Sequence, residues 1–215
     1  MSLSNGLRRA SPCLAVGLAL AGVLAIGQAR AADEDPHAHH HMMMAASADS
    51  GVQRSEASYE IPDLKLVRES GKSVSLRSEI DDGRPVYVNF IFTTCTTICP
   101  LSSQVFSQLQ KKLGDDRDKV HLVSISIDPE MDTPARLRAY AARFHAAGEW
   151  THYTGSFEAS IAAQRAFNAY RGDKMNHTPL TLYRAAPGKP WVRLDGFATA
   201  DQLLALYAPK AAGGT

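Results

Sequence analysis

Apolar residues along the chain fall into strand-length runs that alternate with segments of helical period. The run VYVNFIF at 86–92 is nearly continuous, which is typical of a strand covered on both faces, and VHLVSISI at 120–127 is a second such run. Between them, apolar residues at helical spacing over 101–113 predict a helix. Pro100 fits its first turn, where a missing N–H costs nothing. The chain therefore predicts a strand, a helix and a second strand in this order.

The other elements follow from caps, turn residues and periodicity. They are a hairpin around Gly71 (64–66 with 74–76), a helix beginning at Thr133-Pro134, a short strand at 150–153, a helix with Phe157 and Ile161 one turn apart, antiparallel strands at 179–184 and 191–197, and a last helix with Thr199 and Gln202 at capping-box spacing. This order predicts an α/β fold: a central, mostly parallel sheet with an antiparallel edge and helices on both faces.

The first 31 residues are typical of an export signal. Arg8 and Arg9 precede an apolar run at 13–26, and Ala29-Arg30-Ala31 offers a small-residue cleavage site. An uncleaved anchor is the alternative, although the run is shorter than the roughly 20 residues that span a bilayer. We therefore expect an exported or periplasmic protein, with a tether to the inner membrane as the variant.

Residues 32–57 carry few large apolar side chains and predict a flexible leader, followed by a domain at 58–210 and a tail at 211–215. The leader contains HAHHHMMM at 37–44. Imidazole binds metals, and thioethers are soft ligands suited to Cu(I). The candidate auxiliary metal ligands are His37, His39, His40, His41, Met42, Met43 and Met44. The alternative is an ordinary disordered leader.

Charge excludes some classes of partner. The chain has 23 Lys and Arg against 22 Asp and Glu. This balance indicates neither a nucleic-acid surface nor a strongly charged membrane-binding face.

Cys95 and Cys99 lie four residues apart at the predicted strand-to-helix junction. Backbone N–H groups at a helix N-terminus stabilise thiolates and lower their pKa. Two thiolates are soft ligands that select Cu(I) or zinc. From the residues alone, a metal clamp, a redox couple and a structural disulfide all stay open.

Three segments together resemble the Sco/SenC family: TTCTTICP at 93–100, SIDPEMDTP at 126–134, and His177 in MNHTPLTLYR. The resemblance implies a thioredoxin-like fold and an exported copper chaperone. It implies Cys95, Cys99 and His177 as ligands of Cu(I), with Cu(II) as a second state. The implied recipient is the copper-centre subunit of cytochrome c oxidase or another periplasmic copper protein.

The alternative function is a thiol-disulfide reductase with Cys95 and Cys99 as the reacting pair. Thr178-Pro179 resembles the cis-proline loop that faces the cysteines of thioredoxins, which favours this hypothesis. A peroxidase is disfavoured because its Pro and Thr positions are Val88 and Phe92 here. The acidic residues of DPEMD (Asp128, Glu130 and Asp132) are predicted to shape a loop and begin a helix. The histidines at 121, 145 and 152 are predicted to be structural.

Overall fold

One eight-stranded sheet organises the part of the chain that the computed structural model describes, residues 51–207. The strands, in chain order, are β1 (Gln53–Ala57), β2 (Lys65–Arg68), β3 (Ser73–Ser75), β4 (Val86–Ile91), β5 (His121–Ser126), β6 (Trp150–Gly155), β7 (Leu180–Arg184) and β8 (Trp191–Asp195). The helices within these residues are α1 (Leu76–Ile80), α2 (Ile98–Leu113), α3 (Pro134–Arg143), α4 (Phe157–Ala166) and α5 (Ala200–Tyr207).

The strand order across the sheet is β1-β8-β7-β4-β5-β6-β2-β3. Only β4, β5 and β6 pair in parallel, and the other neighbours are antiparallel. The sheet is therefore mixed, where we expected a mostly parallel one. Short turns join β2 to β3 and β7 to β8, and a short turn connects only antiparallel strands. These hairpins extend the parallel centre on both sides.

The sheet separates two hydrophobic cores, because alternate side chains of a strand point to opposite faces. Helices α2, α3 and α5 cover one face, where Phe106, Tyr140 and Leu203 pack with Tyr87 of β4. Helices α1 and α4 cover the other face. The predicted helices on both faces are confirmed.

Strand β1 corrects the predicted boundary of the leader. Residues 53–57, which we assigned to a flexible segment, pair along their length with β8. Their side chains are almost all exposed, so backbone hydrogen bonds hold the strand and no hydrophobic pattern reveals it. The predicted signal (1–31), the tract at 37–44 and the tail at 211–215 lie outside the described residues. None of the helices within residues 51–207 is long and apolar enough to cross a membrane.

Local sequence signals for the helices were largely reliable. The Thr133 side chain accepts from the Arg136 N–H, and Thr199 and Gln202 form the predicted reciprocal pair. Phe157 and Ile161 lie one turn apart in α4 as predicted, and Phe157, at its first position, is 55% exposed. Helix α1, only five residues long, carries too short a pattern to be seen in sequence.

Candidate metal centre

The junction of β4 and α2 holds both cysteines. Strand β4 ends at Ile91 and α2 begins at Ile98, so Cys99 lies in the first helical turn and Cys95 in the preceding loop. The Cys99 N–H donates to the Cys95 sulfur at 3.4 Å. Pro100, as predicted, lies in the first turn. A backbone N–H that has no partner within the helix is thus directed at the Cys95 sulfur.

The two sulfurs have different environments. Cys95 is half-buried: burial by itself would raise its pKa, but the Cys99 and Thr97 N–H groups outweigh burial and lower it. Cys99 is fully buried, and burial raises its pKa even though the Phe92 N–H donates to its sulfur at 3.4 Å. Cys95 is therefore the accessible, acidic thiol, and Cys99 the protected one. Both are free thiols.

His177 follows a short turn, Lys174–Asn176, and precedes β7. The side chain is buried, and burial lowers its pKa, so the ring is neutral at neutral pH. The ring meets Phe92 edge-on, with centroids 6.5 Å apart. A neutral imidazole is the form that binds metals.

Cys95 and His177 line one cavity of about 210 Å³. Its other lining residues are Phe92, Thr94, Thr96, Thr97, Ile98, Lys174 and Met175. Cys99 is not on this surface, because its sulfur is buried beneath the helix start. Within residues 51–207, no three His, Cys, Asp or Glu side chains are already grouped closely enough to hold a metal ion. Two thiol sulfurs and an imidazole nitrogen suit copper. Cys95, Cys99 and His177 would have to come closer together to bind one ion.

Asp132 secures the loop that precedes Cys95. Its carboxylate is fully buried and accepts from the Thr93 N–H at 3.1 Å, the Thr93 hydroxyl at 2.5 Å and the Ser126 hydroxyl at 2.6 Å. It thus connects the carboxyl ends of β4 and β5. Sequence reasoning expected a loop former at this position and missed its contact with Thr93.

Lys174 is a second residue that sequence reasoning missed. Its ammonium lies 2.6 Å from the Asp128 carboxylate and contacts the Phe92 ring at 5.7 Å from the centroid. The ion pair links the His177 loop to the DPEMD loop. Glu130 is exposed and makes no such link. Nothing in the sequence pattern pairs residues 46 positions apart.

The other histidines within residues 51–207 are His121, His145 and His152. His121 is buried with Nδ1 3.0 Å from the Glu79 carbonyl, and His145 is exposed. His152 is completely buried beside Trp150, and neither ring nitrogen has a hydrogen-bond partner among the described residues. None of the three lines the cavity with Cys95.

Comparison with known proteins settles the family. Residues 52–186 match the family model described as SCO1/SenC. This chain belongs to the SCO1/SenC family. Its SCO1/SenC relatives include the "SCO1 protein homolog" of Bacillus subtilis (strain 168), 36% identical over 114 residues, which are 52% of this chain and 58% of the relative. A "Putative copper-binding protein" of Stutzerimonas stutzeri is 34% identical over 87 residues, 40% of this chain and 42% of that one.

The matches span about half the length of these two curated relatives. Among solved structures, BsSco, a member of the Sco family of cytochrome c oxidase assembly proteins, is 29% identical with a TM-score of 0.60. That match covers 71% of this chain and 94% of BsSco. Copper-bound ScoI of Bradyrhizobium japonicum is 27% identical with a TM-score of 0.52, covering 59% and 83% of the two chains. These neighbours confirm the thioredoxin-like α/β fold that the resemblance implied.

Proposed function

We propose that this SCO1/SenC protein is an exported copper metallochaperone that binds copper through the thiolates of Cys95 and Cys99 and the imidazole of His177. The observation that carries the proposal is the shared cavity: Cys95 and His177 are far apart in sequence and line the same small space. Relatives with copper bound support copper as the cargo. Two sulfurs and an imidazole are a soft donor set, which favours Cu(I), and Cu(II) is the second state to test.

The contacts of each ligand suit loading and release. The N–H groups at the start of α2 stabilise charge on Cys95, and the buried His177 ring is already neutral. Cys99 holds its proton more firmly, so copper binding must displace that proton. Three ligands leave copper open to ligand exchange with a recipient. We propose the copper-centre subunit of cytochrome c oxidase, or another periplasmic copper protein, as that recipient.

The test is an anaerobic Cu(I) titration of the reduced protein against a competing chelator, beside His177→Ala. Loss of one of three ligands should weaken binding at least tenfold, or about 1.4 kcal/mol. Met175→Ala is the matched control, because this exposed residue lines the same cavity and is not among the proposed ligands. Equal affinity of His177→Ala and the unchanged protein would remove His177 from the site.

The leader tract is proposed as an auxiliary copper site, with His37, His39, His40, His41, Met42, Met43 and Met44 as ligands. Support comes from the point where the leader joins the domain. A Cβ at Gly196 would lie 2.4 Å from the Gly51 carbonyl, and the Gly196 N–H donates to the Pro179 carbonyl at 3.0 Å. Pro179 is two residues after His177. Gly51 is therefore within about 20 Å of His177 along these contacts.

The tract ends at Met44, seven residues before Gly51. Seven extended residues reach about 25 Å, so the tract is a tethered ligand at high effective concentration near the site. Replacing its seven ligands with serine keeps the length of the chain. This variant should load more slowly at limiting copper and reach the same final affinity. An unchanged loading rate would remove the tract from the proposal.

Thiol-disulfide reduction is the second candidate function. The difference between the two sulfurs favours it: an accessible thiol of lowered pKa suits attack on a disulfide, and a buried neighbour suits resolution of the mixed disulfide. A turnover assay with an oxidised peptide separates the two functions. Sustained turnover that survives His177→Ala would favour the reductase, whereas a single stoichiometric reduction favours the chaperone.

A further inference from the structure

Lys174 belongs to the loop that carries His177 and lines the cavity. The Lys174 carbonyl accepts from the His177 N–H at 3.1 Å, so the two residues share one backbone turn. The Lys174 ammonium lies over the Phe92 ring, and the His177 ring meets the same phenyl ring edge-on. Among the described residues that line this cavity with Cys95, Lys174 alone carries a positive charge.

Asp128 is the partner of Lys174. The Asp128 carboxylate lies 2.6 Å from the ammonium and is buried, whereas the lysine side chain is 39% exposed. The Asp128 N–H donates to the Ser126 hydroxyl at 3.0 Å, so Asp128 is fixed at the end of β5. Two roles are consistent with this pair. Lys174 is either a strut that fixes the His177 loop or a positive charge that serves the cavity.

The charge of the proposed site favours the second role. Two thiolates, a neutral imidazole and Cu(I) have a net charge of minus one, and an anion in a partly buried site needs compensation. The first turn of α2 contributes N–H groups and has no acidic residue. Lys174 can supply a full positive charge to the same space.

We infer that the Lys174 ammonium is the counter-charge of the anionic copper-thiolate centre. In the copper-free protein, Asp128 pairs with this ammonium at the rim of the cavity. This inference rests on the proposed function. It makes Lys174 a positioning and electrostatic residue, not a ligand. When the centre becomes anionic, the ammonium is attracted from Asp128 toward the sulfurs, and it returns to Asp128 when copper leaves.

Substituting each half of the ion pair in turn distinguishes the two roles. If Lys174 is a counter-charge, Lys174→Met weakens copper binding, and Asp128→Asn strengthens it or leaves it unchanged, because a competing anion is gone. If Lys174 is only a strut, both substitutions break the same link and weaken binding to the same extent. Lys174→Arg keeps the charge and should recover most of the affinity.

The experiment measures Cu(I) affinity by chelator competition in the reduced full chain and in these three variants. We expect about threefold to tenfold weaker binding for Lys174→Met, because the charge is partly screened by solvent. The matched control is Lys112→Met: Lys112 pairs with Asp201 at 2.8 Å and is 42% exposed, but lies in the last turn of α2. It should bind copper as the unchanged protein does. Thermal unfolding of each variant separates loss of the fold from loss of charge.

A second readout needs no copper. The rate of Cys95 alkylation at pH 7 should fall in Lys174→Met, recover in Lys174→Arg and not fall in Asp128→Asn. The inference is overturned if Asp128→Asn weakens copper binding as much as Lys174→Met, or if Lys174→Met changes neither readout. Failure of the unchanged protein to bind Cu(I) at Cys95 and His177 would instead reject the proposed function. The alkylation rates would still test whether the charge of Lys174 acts on Cys95.

Discussion

Asp132→Ala should destabilise the domain and loosen the proposed metal centre. The buried carboxylate accepts three hydrogen bonds, two from Thr93 and one from the Ser126 hydroxyl. A hydrogen bond to a charged group contributes about 1.5–3 kcal/mol. The full sum overstates the loss, because removing Asp132 also removes a buried charge, and half-buried Thr93 can bind water instead. We therefore expect a loss of about 3 kcal/mol.

Urea unfolding measures this loss directly, and thermal unfolding should show a fall in Tm of about 6–12 °C. The reduced variant should also bind Cu(I) more weakly, since Thr93 no longer fixes the loop before Cys95. Asp201→Ala is the control, because Asp201 is exposed and, within residues 51–207, pairs only with Lys112 at the surface. The stability of this variant should be nearly unchanged. A loss below about 1 kcal/mol for Asp132→Ala, with unchanged copper affinity, would refute the reasoning.

Three further predictions test other parts of the structure. At pH 7, iodoacetamide should modify Cys95 at least about tenfold faster than Cys99, as mass mapping would show, because Cys95 is more accessible and more acidic; equal rates would contradict the assignment. Burial lowers the pKa of His152 to about 3, so the unfolded chain binds the extra proton and stability should fall as pH drops from about 6.5 toward 3. His152→Phe should reduce that slope by up to about 1.4 kcal/mol per pH unit in urea unfolding between pH 4 and 6, and an unchanged slope would be inconsistent with it. Gly196→Ala should destabilise more than Gly188→Ala, because both residues have positive φ but only Gly196 lies against another backbone, and similar unfolding midpoints would contradict that contact.

The sequence predicted those elements whose side chains are buried in a regular pattern. Strand β4 and helix α2 bury a repeating set of apolar residues, and both were found close to their observed bounds. Strand β1 was missed because its stability comes from backbone pairing with β8, and a side-chain pattern does not reveal such pairing. The spacing of Phe157 and Ile161 correctly indicated a helix, but spacing alone does not show that the first residue of α4 faces outward.

In the proposed site, too, the sequence indicated some residues and missed the contacts that support them. The two cysteines were marked by their spacing at a helix start, and His177 only by the family resemblance. The contacts that support them join residues distant in the chain: Thr93 to Asp132, and Lys174 to Asp128. Such pairs arise from the packing of loops at one edge of the sheet, and no periodicity within one segment encodes them.

X-ray absorption spectroscopy of the Cu(I)-loaded protein is the most direct test of the central claim. The sample should be the variant whose leader tract is replaced by serine, so that the folded domain alone supplies ligands. Binding by Cys95, Cys99 and His177 should give two sulfur neighbours and one nitrogen neighbour around copper, with the nitrogen lost in His177→Ala. A spectrum without a nitrogen neighbour, or one unchanged by His177→Ala, would contradict the site formed by Cys95, Cys99 and His177.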